Sequence, residues 1–189
     1  MRFLLVAFSF GFIASCVAFH LGFRCNYTPS VSRGLYRSVE GDAKSGDLVA
    51  VCLPPAISSV GLERGYLGPG TCADGAMPVL KYVLAAGGDE VELDWASVSV
   101  VGRGSYRLRT LSVDGVGRSL APISRGRHRL APGELWLVSA GHRRSWDSRY
   151  YGPVPETAVR SVFVPVITAP SDAPGWPALH RHWQSVDKQ

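Results

Sequence analysis

Short apolar segments, each closed off by turn residues, set the limits on what this chain can fold into. The 21 glycines and 13 prolines are spread along its 189 residues, which favours strands and turns over long helices. Strand-like runs fall at Gly34–Val39, Asp47–Cys52, Val79–Leu84, Val98–Val101, Tyr106–Leu108, Glu134–Ser139 and Val159–Val166. Glu90–Asp94 alternates polar and apolar residues after a Gly87-Gly88-Asp89 turn. Ile57–Leu67 is the one segment of the body that reads as a short helix. The expectation is a mostly β fold of antiparallel pairs, and the length suits one domain rather than two.

The two ends depart from this pattern. Phe3–Phe23 is almost wholly apolar, with His20 as its one ionisable residue. It matches a membrane span of ~20 residues and exceeds the ~7–15 apolar residues of a cleavable signal. Residues 1–23 are therefore read as a membrane anchor in contact with lipid. Two other readings stay open: Ile13-Ala14-Ser15-Cys16 has the form of a lipoprotein box that would leave Cys16 acylated, and ordinary cleavage would remove the segment. Arg2 precedes the span while Arg24, Arg33 and Arg37 follow it, so charge alone does not orient it. Residues 168–189 read as a Pro-rich flexible tail, in which His180 and His182 are solvated rather than metal ligands. The body is residues 24–167.

The net charge of +5 is scattered, with no basic helix or aromatic-interleaved stripe, so no nucleic-acid partner is expected. The chain has no CxxC pair, no Cys/His cluster at zinc spacing and no HExxH, and neither a metal nor a cofactor is expected. Cys52 and Cys72 each lie beside turn residues. They are either a disulfide, if the body faces an oxidising compartment, or two free buried thiols.

The chemistry centres on a serine and a lysine. Lys81 lies inside the apolar run Met77–Leu84; on a strand it shares a face with Val79 and Val83, and Leu80 and Tyr82 take the other. With both faces covered, the ammonium loses hydration and its pKa falls toward neutrality. On an edge strand the same lysine would only blunt aggregation. Ser30 lies seven residues past Phe23, near the expected membrane surface, and a serine nucleophile needs an adjacent base. Ser145 and Asp147 flank Trp146, so that one can hold the lysine nitrogen while the other fixes the loop through Arg149. The Thr28 hydroxyl can join the Ser30 backbone N–H in stabilising an oxyanion, or form a local turn around Pro29. A Ser30–His142–Asp147 triad can also be drawn, but Arg143 and Arg144 beside His142 make it a poor proton acceptor.

These segments resemble three boxes of the bacterial type I signal peptidases, and most of all the TraF-type peptidases of conjugative transfer systems. Asn26-Tyr27-Thr28-Pro29-Ser30-Val31-Ser32-Arg33-Gly34-Leu35-Tyr36 is similar to the nucleophile pattern N-x-T-x-S-x-P-x-G-L-Y. Lys81-Tyr82-Val83 followed by Gly88-Asp89 resembles the lysine box, and Ser145–Val154 follows S-x-D-S-R-x-x-G-x-V. Arg64-Gly65-Tyr66-Leu67-Gly68 and the placement of Cys52 and Cys72 are also TraF-like. The resemblance implies Ser30 as nucleophile, Lys81 as general base and Ser145 as the residue that orients the lysine. It assigns Asp147 and Arg149 to stabilising the site and Thr28 to the oxyanion. It further implies a β-rich catalytic domain anchored in the bacterial inner membrane and facing the periplasm. The substrate would be an exported precursor, a conjugative pilin subunit, with cyclisation through an acyl-enzyme as one outcome. Departures are plain: Ser32 stands where the pattern has proline. Val31 and Tyr82 replace the methionine and arginine of general signal peptidases, and Gly141-His142-Arg143-Arg144 replaces their G-D-N-R. A general signal peptidase and a non-catalytic envelope component of a secretion channel are the alternatives.

Overall fold

Two antiparallel sheets hold the strands of the described residues. The structure is a computed structural model and describes residues 15–139, 142 and 144–169. The larger sheet has seven strands in the order β1 (Phe23–Asn26), β2 (Gly34–Val39), β11 (Val159–Thr168), β3 (Leu48–Val51), β4 (Val79–Ala86), β9 (Glu134–Val138) and β10 (Val154–Pro155). The smaller has four, in the order β7 (Gly104–Tyr106), β6 (Val98–Val100), β5 (Glu90–Leu93) and β8 (Gly126–Arg129). The mostly β, antiparallel expectation holds. Helix α1 (Pro55–Glu63) starts two residues before the expected one and ends four before it. Pro55 at its first position needs no N–H partner there, which is why the helix can begin on it. A single helical turn, α2 (Ser148–Tyr151), was not visible in the sequence.

Strand β4 shows how the alternation works. Val79 and Val83 pack with Val49, Val51, Leu135 and Leu137 in one cluster, while Leu80 and Tyr82 join Val31, Tyr36 and Leu48 in another. A bulge between Val83 and Ala85 then lets Leu84 and Ala85 both enter a third cluster with Val91, Val98 and Trp136, which joins the smaller sheet to the larger. Gly34 is required where β2 meets β11: a Cβ there would lie 2.2 Å from the carbonyl oxygen of Ile167.

Three strands escaped the sequence reading. Strand β8, Gly-Arg-His-Arg, has no apolar run; its pairing with β5 sets Arg129 against Glu90 and Arg127 against Glu92. Strand β10 is two residues long, and β1 includes a residue assigned to the anchor. Of the expected anchor over 1–23, residues 1–14 lie outside the described residues. Residues 15–20 are helical, and Phe23 opens β1 opposite Arg37. Phe23 is thus a sheet residue rather than the end of a span. Among the described residues no helix is long and apolar enough to cross a membrane. The tail beyond Ala169, with His180 and His182, also lies outside the described residues.

Candidate active site

Lys81 is an interior residue of an interior strand. β4 runs between β3 and β9, so the edge-strand alternative does not apply. Val49 is its partner on β3, and the β4–β9 register that pairs Tyr82 with Val138 sets the next residue, Ser139, opposite Lys81. Lys81 is 5% exposed, and its Nζ donates to Ser145 Oγ at 2.9 Å and to Ser139 Oγ at 3.1 Å. Burial pulls the amine's pKa down to about 8. The Asp147 carboxylate opposes that fall, and the Arg149 guanidinium adds to it.

The serines are held in turn by a buried ion pair. Asp147 is 0% and Arg149 2% exposed. Arg149 Nε and Nη2 donate to the two carboxylate oxygens at 2.7 Å each, in fork geometry. The guanidinium has two more acceptors, the carbonyls of Ser145 at 3.1 Å and Arg109 at 2.8 Å. Strand β10 pairs with β9 only at Glu134 and Leu135. Beyond that point side chains replace a neighbouring strand: Ser148 Oγ accepts from Leu137 N at 2.8 Å, and Asp147 Oδ2 from Ser139 N at 3.1 Å. Asp147 also caps α2 by accepting from Arg149 N. Trp146, between Ser145 and Asp147, packs between a tilted Tyr66 ring at 5.3 Å and an edge-on Tyr151 ring at 5.1 Å, beside α1. Gly61 makes that approach possible, since a Cβ there would meet the indole at 2.8 Å.

Ser30 is placed by local bonds on the loop between β1 and β2. Asn26 is the hub: its Nδ2 donates to the carbonyls of Thr28, Val31 and Ser32 at 3.0, 3.1 and 3.1 Å. Its Oδ1 accepts from Thr28 N at 3.1 Å and Thr28 Oγ1 at 2.7 Å. The one hydroxyl proton of Thr28 is thereby used, so in the 3.2 Å contact between Thr28 Oγ1 and Ser30 Oγ the donor is Ser30. Val31 buries the loop's base, and Tyr36 OH donates to the Ser32 carbonyl at 2.7 Å. Burial lifts that phenol's pKa to about 12.

Ser30, Thr28, Lys81 and Ser145 border one cleft of about 1010 Å³, with Leu80, Met77, Phe163 and Trp146 among its apolar walls. Among the described residues no hydrogen bond joins Ser30 to Lys81; the serine bonds Thr28 and the lysine bonds two other serines. Asp147 and Arg149 lie behind Lys81, off the cleft surface. His142 borders the cleft, but its Nδ1 accepts from Arg144 N at 3.3 Å, and both Asp147 oxygens are engaged by Arg149. The histidine triad is not assembled. Cys52 and Cys72 form a disulfide with Cα atoms 5.6 Å apart, tying the end of β3 to the loop that carries Met77 and Pro78 into the cleft wall. Ser139 and Asn26 were not singled out by sequence reasoning. Ser139 is found only once the β4–β9 register is known, whereas Asn26 sits in the nucleophile box itself.

Residues 1–167 match the family described as signal peptidase, peptidase S26, and the chain belongs to that family. It is similar to the conjugal transfer protein TraF of Agrobacterium fabrum, at 38% identity over 151 residues, 78% of this chain and 83% of that one. The probable conjugal transfer protein TraF of Sinorhizobium fredii is 37% identical over 151 residues, 78% of both chains. A plasmid transfer protein TraF of Escherichia coli is 34% identical over 152 residues, 80% of this chain and 86% of that one. A signal peptidase I structure from Enterococcus faecalis overlaps at a TM-score of 0.39 and 18% identity, covering 67% of this chain and 100% of that one.

Proposed function

We propose that the chain is a membrane-anchored endopeptidase in which Ser30 and Lys81 form a catalytic dyad. The observation that carries the reading is a lysine buried to a pKa of about 8, oriented by hydroxyls, at the wall of the cleft that Ser30 borders. Uncharged Lys81 takes the Ser30 proton, and Oγ attacks the scissile carbonyl. The Ser30 backbone N–H and the Thr28 hydroxyl, turned away from Asn26, face the developing oxyanion. The ammonium then returns its proton to the leaving amine. The acyl-enzyme is resolved by water or by a positioned amine of the substrate, which would give a cyclic product. Attack needs the Ser30 hydroxyl to turn from Thr28 toward Lys81.

The substrate in this reading is a precursor exported by a conjugative system, a pilin subunit, which the names of the TraF relatives support. The apolar N-terminal sequence supports an inner-membrane anchor, and the Cys52–Cys72 disulfide supports a periplasmic catalytic domain. The test is maturation of a pilin-like precursor by cells carrying Ser30→Ala or Lys81→Met. Each variant, at parental protein level, is expected to leave the precursor unprocessed. Processing by either one refutes the dyad.

A further inference from the structure

Lys81 has two hydroxyl acceptors, and they differ in their access to the cleft. Ser145 borders the cleft with Lys81, whereas Ser139 does not and is 1% exposed. An uncharged amine has two N–H bonds and one lone pair, arranged tetrahedrally with Cε. Ser145 and Ser139, at 2.9 and 3.1 Å, are enough to take both N–H bonds. The lone pair is then free of both serines, and Lys81 shares its cleft with Ser30. Both acceptors are set by the same ion pair: Asp147 Oδ2 accepts from Ser139 N at 3.1 Å, and Arg149 Nη2 donates to the Ser145 carbonyl at 3.1 Å.

We infer that Ser139 is a positioning residue of the dyad: with Ser145 it binds both N–H bonds of uncharged Lys81 and so aims the lone pair at Ser30. The inference rests on the Ser30–Lys81 reading above. It adds to that reading a residue just past the end of β9, outside all three sequence boxes. The charged groups acting on the amine are Asp147 and Arg149 from the turn behind it, and His142 and Arg144 border the same cleft. Ser139→Ala leaves all four in place.

The test uses the full chain in detergent micelles and p-nitrophenyl acetate as the acylating probe, following p-nitrophenolate release from pH 6 to 10. Ser139→Ala is expected to lower the high-pH plateau of the acylation rate roughly tenfold, the size of one lost hydrogen bond of about 1.4 kcal/mol. Its midpoint should also move to lower pH, because a lost acceptor disfavours the ammonium more than the amine. Ser139→Thr keeps the hydroxyl and should restore both plateau and midpoint. A residue that merely fills space would lower the plateau without moving the midpoint, and threonine would not rescue it; that result overturns the inference. So does a parental profile for Ser139→Ala. Should the alanine variant fail to fold, Ser139→Cys, similar in volume and a weak acceptor, must show the lowered plateau and shifted midpoint. Ser30→Ala and Lys81→Met are run alongside. Their inactivity with a parental Ser139→Ala removes only the role of Ser139, whereas their activity removes the dyad itself.

Discussion

Ser30 and Lys81 border one cleft but are held there by opposite means. The lysine sits on an interior strand of a seven-stranded sheet, fixed by two serines and, through them, by a buried ion pair. The serine rides on a short loop whose shape depends on the five hydrogen bonds of one side chain, Asn26. Burial can lower an amine's pKa only where the surroundings do not yield, so the base belongs in the rigid region. The nucleophile has to approach, be acylated and release a product, which suits a locally tied turn. Damage to the ion pair behind the lysine should therefore cost stability as well as rate, and damage on the serine side mainly rate.

The sharpest way to break this contrast is Asp147→Ala. It strands the Arg149 guanidinium in the interior and frees the N–H of Ser139, and unfolding in urea should show a loss of about 3–5 kcal/mol. An unchanged midpoint would mean that the ion pair does not carry the lysine side. Next in size, Cys52→Ser with Cys72→Ser opens the covalent tie that bridges a sequence separation of 20 residues. A loss of about 3 kcal/mol in thermal unfolding is expected, along with weaker substrate binding through the Met77 wall. Asn26→Ala sharpens the comparison from the other side. Its bonds are part-exposed, so stability should fall by no more than about 1–2 kcal/mol. Acylation of Ser30 should fall more than tenfold, measured as the rate constant at fixed pH. A large loss of stability with an intact rate would invert the proposed division of labour.

The same division decides what could be read from the sequence. Contacts on the serine side are local: Asn26, Thr28 and Ser30 lie within one box, and only the direction of the Thr28 hydroxyl needed coordinates. Lys81 was legible because alternation in Val79–Val83 predicts a face, and burial on both faces follows if the strand is interior. Its interior position and its second acceptor were not legible, since both depend on which strands pair. The pairing of Lys81 with Ser139 spans 58 residues. Ser145, which accepts from Lys81, and Asp147, which pairs with Arg149, lie in one sequence box, but the single turn α2 between them and Val154 hides in a stretch too short for a helical period. Strand β8 was missed for a related reason, since it is polar and exists by pairing with β5.

The central claim is that burial lowers the pKa of the Lys81 amine far enough for it to serve as a base. Its folded value of about 8 lies below the ordinary ~10.4 of lysine, so below pH 8 the ammonium predominates and the fraction present as base falls about tenfold per pH unit. Activity should rise with pH through about 8, and the fold should gain stability from there toward pH 10, because the unfolded chain holds that proton more tightly. The most direct measurement is an NMR titration of the full chain labelled with [ε-13C]lysine. The chain has three lysines, Lys44, Lys81 and Lys188, and the Lys81 resonance is identified by its absence in Lys81→Met. A midpoint near 8 for that resonance is the predicted result. A midpoint of ~10.4, the value of a solvated lysine, contradicts the account.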